Sequence, residues 1–353
     1  MASAETQEHL ADYPRADLEA AARQIERVWP GLQGARLFLT GGTGFLGRWL
    51  LALLAHAGDT RTLDLRVICL SRDPGRFRTA FPALASHAAI SLAEGDVRGF
   101  DDPKGSITHI IHGAADSSAA AAAAPLELLS AIVDGTRRVL QFAQRAGVPK
   151  LLFVSSGAVY GRQPPEIEKL SETFLGAPAP LDARSTYGAA KRLAEHLFIL
   201  YGQQSKLEVK IARGFTFAGA GLPMDKHFAI GNFIRDAVAG KVVRVEGDGS
   251  PLRSYLYGAD TAAWLMKILA DGREGEAYNV GSDQAISIGA LARRVADLLA
   301  PEAKVEILGQ GDGKGHSRYV PDIATARALG LEIWTDLDRQ IVATAEWHRR
   351  QAR

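Results

Sequence analysis

Cysteine is almost missing from this chain. Cys69 is the only one in 353 residues and sits in an apolar stretch, so neither a disulfide framework nor a thiolate metal cage is available. Net charge is nearly missing too: 41 basic and 40 acidic side chains leave no field to draw in nucleic acid or an anionic membrane surface. No apolar run approaches the length of a bilayer span, residues 49–55 being typical of the longest. Residues 1–16 lack the basic start and apolar stretch of a secretory signal. His112, His227 and His316 stand without metal-ligand spacing, so no catalytic metal is expected. These absences lead to the expectation of a soluble, cytoplasmic protein with no nucleic-acid or membrane partner. What is present is ordinary for a globular chain, 47% hydrophobic and 23% charged, and long enough for two lobes sharing one crevice.

The apolar pattern is periodic. Residues 17–29 read as an amphipathic helix, with Leu18, Ala21, Ala22, Ile25, Val28 and Trp29 on one stripe, packed on the outside of a sheet or on a partner. Strands then alternate with helices. Strands are expected at 36–40, 65–70, 107–112, 151–155 and 208–213, and helices at 45–57, about 126–146 and from 187. Such alternation implies right-handed crossovers and an α/β fold with a doubly wound parallel sheet. Past residue 213 the texture changes. Helices near 228–238, 259–270, 288–299 and 336–349 interleave with short strands at 242–245 and 305–308. This reads as a smaller lobe lying over the carboxyl ends of the sheet strands.

Between the first strand and the first crossover helix stands Gly41-Gly42-Thr43-Gly44-Phe45-Leu46-Gly47. Gly41 permits a tight turn, Gly44 lets the backbone approach a pyrophosphate, and Gly47 lets the helix pack closely on the strand. The helix amino terminus then offers free N–H groups and positive potential to phosphates. A strand before and a helix after make this a dinucleotide-binding turn. The second strand ends in Ser71 and Arg72, with Arg76 and Arg78 beyond, where an NAD-preferring site usually has Asp or Glu. A cation and a hydroxyl suit a 2′-phosphate, so NADP is favoured over NAD.

Tyr187 and Lys191 are four apart at the start of a helix and share a face. An ammonium beside a phenol lowers its pKa, making it a proton donor and acceptor at a carbonyl or alcohol. Ser156, after Ser155 at a strand end, supplies a second donor for the substrate oxygen.

With these motifs on the page the chain resembles an extended short-chain dehydrogenase/reductase of the nucleotide-sugar epimerase/dehydratase group, over roughly residues 36–332. The markers are residues 40–47, 95–98, 112–115, 153–161 and 187–191, Arg253-Ser254-Tyr255-Leu256-Tyr257 with Asp260, and the block Tyr319-Val320-Pro321-Asp322. The resemblance implies a Rossmann domain over 35–213 and a substrate-binding domain over 214–353, after an N-terminal helical extension at 1–34. It implies that Phe45 and Leu46 meet the pyrophosphate, with Gly41, Thr43, Gly44 and Gly47 in the same cofactor-binding turn. Asp96 and Val97 flank adenine, and Ala114, Ala115 and Ser117 line the ribose–phosphate path. Ser155, Tyr187, Lys191 and Phe215 lie by the nicotinamide, and Ser156, Thr216, Asn232 and Arg253 on the substrate side.

The implied activity is that of an NAD(P)-dependent nucleotide-sugar epimerase or 4-keto-sugar reductase. An NADPH-dependent ketone reductase of a small non-sugar compound and a non-catalytic dinucleotide sensor are the alternatives. The implied partner is a nucleoside diphosphate sugar, and the implied assembly a homodimer through helices near 126–146 and 187–203. Three positions depart from the group's pattern. Ile132 and Thr216 stand where the group has Asn, and Gly157-Ala158 replaces the Asp-Glu of its 4,6-dehydratase branch, which disfavours elimination of water.

Overall fold

The computed structural model describes residues 12–115, 122–224, 228–310 and 317–351. Ser117, His227 and His316 lie outside the described residues. The chain enters with helix α1 (Arg15–Gln24), whose buried stripe is Leu18, Ala21 and Ala22. The expected helix over 17–29 stops early: Ile25 leaves helical geometry, and residues Glu26–Leu32 continue as tighter 3-10 turns containing Pro30. Proline lacks the donor an α-helix needs there, and its ring crowds the preceding turn. The segment packs on two helices rather than directly on the sheet, namely α2 (Phe45–Thr60) and a later helix, Gly258–Asp271.

Seven parallel strands form the main sheet: β1 (Arg36–Thr40), β2 (Arg66–Ser71), β3 (Ile90–Glu94), β4 (His109–His112), β5 (Lys150–Ser156), β6 (Glu208–Gly214) and β7 (Ala277–Val280). Their order is β7-β6-β5-β4-β1-β2-β3. Side chains alternate between faces, as the pleat requires. Leu37 and Leu39 of β1 join the core beneath α2, whereas Phe38 joins the core beneath α3 (Pro125–Ala146) and α4 (Thr186–Ser205). Trp49 through Ala57 of α2 are all buried, each large apolar side chain contributing about 1.5–3 kcal/mol.

Two strands of the main sheet were not expected. β3 is half-exposed, and β7 comes from beyond residue 213, pairing with β6 from Ala277↔Ile211 to Val280↔Gly214. The division at residue 213 is therefore crossed: the chain returns to the sheet and covers the edge of β6 that would otherwise lie unpaired. Helix α6 (Gly258–Asp271) faces the sheet core, whereas α5 (Ala229–Val238), α7 (Ile288–Leu299) and α8 (Leu337–Gln351) build a second apolar core around the paired strands Val243–Val245 and Val305–Ile307. Phe45, at the first residue of α2, packs against both cores. No helix among the described residues is long and apolar enough to cross a membrane.

Candidate active site

Strand order reverses between β1 and β4, and open α/β folds bind ligands in the crevice at such a switch point. The glycine turn lies there. Gly41 has φ +77°, and a side-chain carbon added to it would fall 2.5 Å from the Gly113 carbonyl carbon, so the turn after β1 rests on the turn after β4. At Gly47 the same atom would fall 2.2 Å from the Gly41 oxygen. At Gly44, the N-cap of α2, it would meet only the Gly41 oxygen, at 3.3 Å. Two of the glycines are thus required by the protein's own packing, while Gly44 keeps its outer face open, as approach of a pyrophosphate requires. Thr43, Phe45 and Leu46 complete the turn, half-buried.

The strand ends are fastened by a buried imidazole. His112 Nδ1 is hydrogen-bonded to Thr40 Oγ1 at 2.7 Å and its Nε2 to Thr136 Oγ1 at 3.0 Å, while the Ala114 amide donates to Thr40 Oγ1 at 3.2 Å. Burial, and then the Lys191 charge, pull this histidine down to about 3, so it is neutral. It orders the 113–115 loop, where Ala114 and Ala115 lie half-buried.

At the end of β2 the Ser71 hydroxyl accepts from the Asp73 amide at 3.2 Å, and Arg72 is exposed. A cavity of about 500 Å³ opens here, lined by Arg72, Asp73, Pro74, Gly75, Arg78, Leu92 and Glu94. An acid is thus present after all. It arrives on β3, the strand that sequence reading missed, in register with Ser71. Asp96 is held by Arg98 through a 2.7 Å bond from Nε to Oδ1, which keeps its carboxyl below the usual range. Val97 turns toward α3: a side-chain carbon at Gly135 would fall 2.7 Å from it.

Ser156, Tyr187 and Lys191 lie close together, and their electrostatics differ from expectation in one respect. Tyr187 is half-buried on α4, and the Ser156 hydroxyl at the end of β5 lies against its phenol. Lys191 is buried and donates to the Val154 carbonyl at 2.8 Å. Its ammonium lies 6.0 Å from the centre of the Tyr187 ring. The phenol is not lowered in this arrangement; burial raises it, against the opposing effect of the Ser156 hydroxyl. The shift falls on the lysine, which burial pulls down to about 7 while the Glu195 carboxylate opposes.

A sign follows from the lysine. An ordinary lysine titrates near 10.4, so at pH 8 Lys191 is mostly neutral in the ligand-free protein. The negative charge that a bound dinucleotide's phosphates bring into the crevice favours the protonated form. Binding of a pyrophosphate-containing dinucleotide at pH 8 therefore takes up part of a proton. Calorimetry in two buffers of different ionisation enthalpy measures the uptake, which Lys191→Met abolishes.

On the opposite wall stand Phe215, Tyr319 and Arg253. Strand Arg318–Tyr319 pairs with Leu252–Arg253, Tyr319 opposite Arg253. The Tyr319 phenol also lies against the Ser156 hydroxyl, and its ring lies 4.7 Å from that of Phe215. A side-chain carbon at Gly157 would meet both, the Tyr319 oxygen at 2.7 Å and Phe215 Cζ at 2.8 Å. Arg253 Nη1 donates to the carbonyls of Leu252 at 2.8 Å and Ser317 at 3.3 Å. Thr216 gives its hydroxyl to the Ser254 carbonyl. Asn232 accepts from Arg235 at 3.1 Å and lines a separate cavity of about 840 Å³ in the smaller lobe, with Arg235, Lys241, Arg244 and Glu246 among its walls.

A family model described as "NAD dependent epimerase/dehydratase family" matches residues 37–281. The chain belongs to that family. UDP-glucuronic acid decarboxylase 2 of Arabidopsis thaliana is 29% identical over 300 residues, covering 84% of this chain and 64% of the relative, so the match spans less than two thirds of the relative's length. MoeE5, solved in complex with UDP-glucuronic acid and NAD, is 26% identical with a TM-score of 0.73, over 90% of this chain and 100% of that one. DesIV, a dTDP-glucose 4,6-dehydratase from Streptomyces venezuelae solved with NAD, is 25% identical with a TM-score of 0.76, over 89% of this chain and 97% of that one.

Within this epimerase/dehydratase family member, Ile132 is a core residue of α3, and position 157 has no room for a side chain. Sequence reading gave Tyr319 no role beyond membership of a C-terminal block, and it overlooked Glu195, one turn beyond Lys191 on the same face. The four-residue spacing was a signal that could have found Glu195.

Proposed function

We propose that this protein carries out dinucleotide-dependent oxidation or reduction at a carbon of a nucleoside diphosphate sugar, as an epimerase or a 4-keto-sugar reductase. The observation that carries the reading is the cluster of Ser156, Tyr187 and Lys191 at the carboxyl end of β5, beside an open-faced glycine turn. A nicotinamide dinucleotide held by Gly41–Gly47, Ser71, Arg72, Asp96, Ala114, Ala115 and Lys191 supplies hydride transfer when bound. Ser156 donates a hydrogen bond to the reacting oxygen. Tyr187, held protonated by burial, gives its proton to that oxygen in the reductive direction. In the oxidative direction it must accept one, which requires Lys191 charged. Phe215 and Tyr319 shield the centre from water.

Elimination of water needs a further acid–base pair. Gly157-Ala158 provides none, and Glu195 is committed to Arg213 and Ser155. On the substrate side Arg253 suits a diphosphate through its permanent charge and forked donors. The cavity beside Asn232, lined by Arg235, Lys241 and Arg244 together with Asp236 and Glu246, has room for a nucleoside. Co-purifying dinucleotide identified by mass spectrometry, followed by a panel of UDP-, dTDP-, GDP- and CDP-sugars including UDP-glucuronate, tests the reading. Bound NAD with no demand for external hydride supports the epimerase, NADPH consumption supports the reductase, and no turnover with any member sinks both.

For the cofactor we propose NADP over NAD, on Arg72 and Arg78 in the cavity at the end of β2. Replacing both by Ala weakens NADPH binding about 10- to 100-fold and leaves NADH within about twofold. Equal losses for the two would assign the cavity to Glu94 and ribose hydroxyls instead. A homodimer fits the exposed leucines of α3 and α4, Leu126, Leu129, Leu193 and Leu200.

A further inference from the structure

The strand that brings Tyr319 to Ser156 is two residues long and pairs with another of two residues. Pairing on that scale does not hold a side chain in place. Besides the Val320 amide's bond to Gln163 Oε1 at 3.0 Å and the packing of the ring on Phe215, a chain of hydrogen bonds runs inward to the catalytic helix. Glu195, on α4 beyond Lys191, accepts from Ser155 Oγ at 2.6 Å and from Arg213 Nη2 at 2.8 Å. Arg213 Nη1 donates to the Tyr160 hydroxyl at 2.9 Å, and that hydroxyl donates to Asn279 Oδ1 at 2.7 Å. The Asn279 amide spends both protons, on the carbonyls of Leu170 at 2.8 Å and Asp322 at 2.9 Å. Leu170 is bonded in turn to the segment carrying the phenol, accepting from the Asp322 amide at 2.8 Å and donating to the Val320 carbonyl at 2.9 Å. Tyr160 and Asn279 are fully buried, so no water substitutes for these partners at the surface.

We propose that Tyr160 and Asn279, coupled through Arg213 to Glu195, form a positioning device that sets the place of the Tyr319 phenol over Ser156 from the catalytic helix. The chain has no slack: each hydroxyl and amide group in it has its hydrogen-bonding capacity in this direction used. Its consequence lies at Ser156, whose oxygen accepts from the Ala158 amide at 3.2 Å and whose neighbour Gly157 has the Tyr319 oxygen directly over it, 2.7 Å from where a side-chain carbon would stand. A substrate oxygen entering there meets a Tyr319 held at a set distance rather than a mobile ring. Tyr160, Asn279, Arg213 and Glu195 touch no substrate and act through Tyr319 and Ser156. The proposal rests on Ser156 and Tyr187 being the reaction centre.

Tyr160→Phe removes one hydroxyl and keeps the ring. In its crystal structure, compared with that of the wild type, the Tyr319 hydroxyl shifts away from its place over Gly157 and Ser156; an unmoved Tyr319 overturns the proposal. This readout needs no substrate, so it holds even if every sugar nucleotide fails and the proposed function falls with them. With a sugar nucleotide that is turned over, Tyr160→Phe and Tyr319→Phe each lower kcat about tenfold, and the double variant is no slower than Tyr319→Phe alone. Multiplying losses would show independent roles and also overturn the device. Should Tyr160→Phe fail to fold, Asn279→Asp, which loses the donations to Leu170 and Asp322, takes its place with the same readouts.

Discussion

Tyr187→Phe lowers turnover by about two to four orders of magnitude and leaves dinucleotide affinity unchanged. The ring is what packs against α3, α4 and their strands, and Phe keeps it. Ser156 keeps its bond from the Ala158 amide, so the strand end is not disturbed. Lys191 keeps its bond to the Val154 carbonyl and remains available to the cofactor. Only the proton is lost. Steady-state kcat together with a fluorescence titration of NADPH separates the two quantities. Unchanged turnover would remove the phenol from the chemistry, and loss of cofactor affinity would make it a binding residue.

Gly47→Ala is expected to damage both fold and binding. The added carbon falls 2.2 Å from the Gly41 oxygen and 2.4 Å from Gly42 Cα, so α2 must lift from the turn. Neither obstacle is a flexible side chain, and overpacking of this kind costs about 1–3 kcal/mol. Because the helix amino terminus moves with it, dinucleotide affinity falls about 100-fold or more. Gly44→Ala supplies the contrast. There the carbon faces only one oxygen at 3.3 Å, the backbone is already in a region open to any residue, and melting temperature stays near that of the wild type. Its cofactor affinity nevertheless falls, since the carbon stands where the pyrophosphate approaches. A Gly44→Ala variant that binds normally would place the phosphates elsewhere.

Much of this architecture can be read from residues alone, for identifiable reasons. β1, β2, β5 and β6 are buried on both faces and read as apolar runs, and α2 announces itself through the glycine turn before it. β3 escapes because it lies at the sheet edge and is half-exposed, with Ser91 and Glu94 interrupting its apolar positions. β7 escapes because its Asn279 reads as a turn residue, whereas it is wholly buried and bonded to Tyr160, Leu170 and Asp322. The first helix ends early because Pro30 and the departure at Ile25 outweigh a good apolar stripe.

In the site, Tyr187, Lys191 and Ser156 are legible because two of them are set by helical spacing and the third by a strand end. Tyr319 is not, since a two-residue strand leaves no periodicity to detect. The electrostatics were legible only in part. Proximity in sequence predicts that lysine lowers the phenol, but burial acts on both groups and falls hardest on the one that must carry a charge to be in its usual state.

A crystal structure with the dinucleotide bound tests the central claim most directly. The account predicts pyrophosphate on the amino terminus of α2 and the reactive nicotinamide carbon beside the Tyr187 hydroxyl, with room between them for a sugar carbon and its oxygen at contact distances of about 3–3.5 Å. A nicotinamide that points away from Ser156 and Tyr187, or a dinucleotide seated outside the β1–β4 crevice, would contradict it.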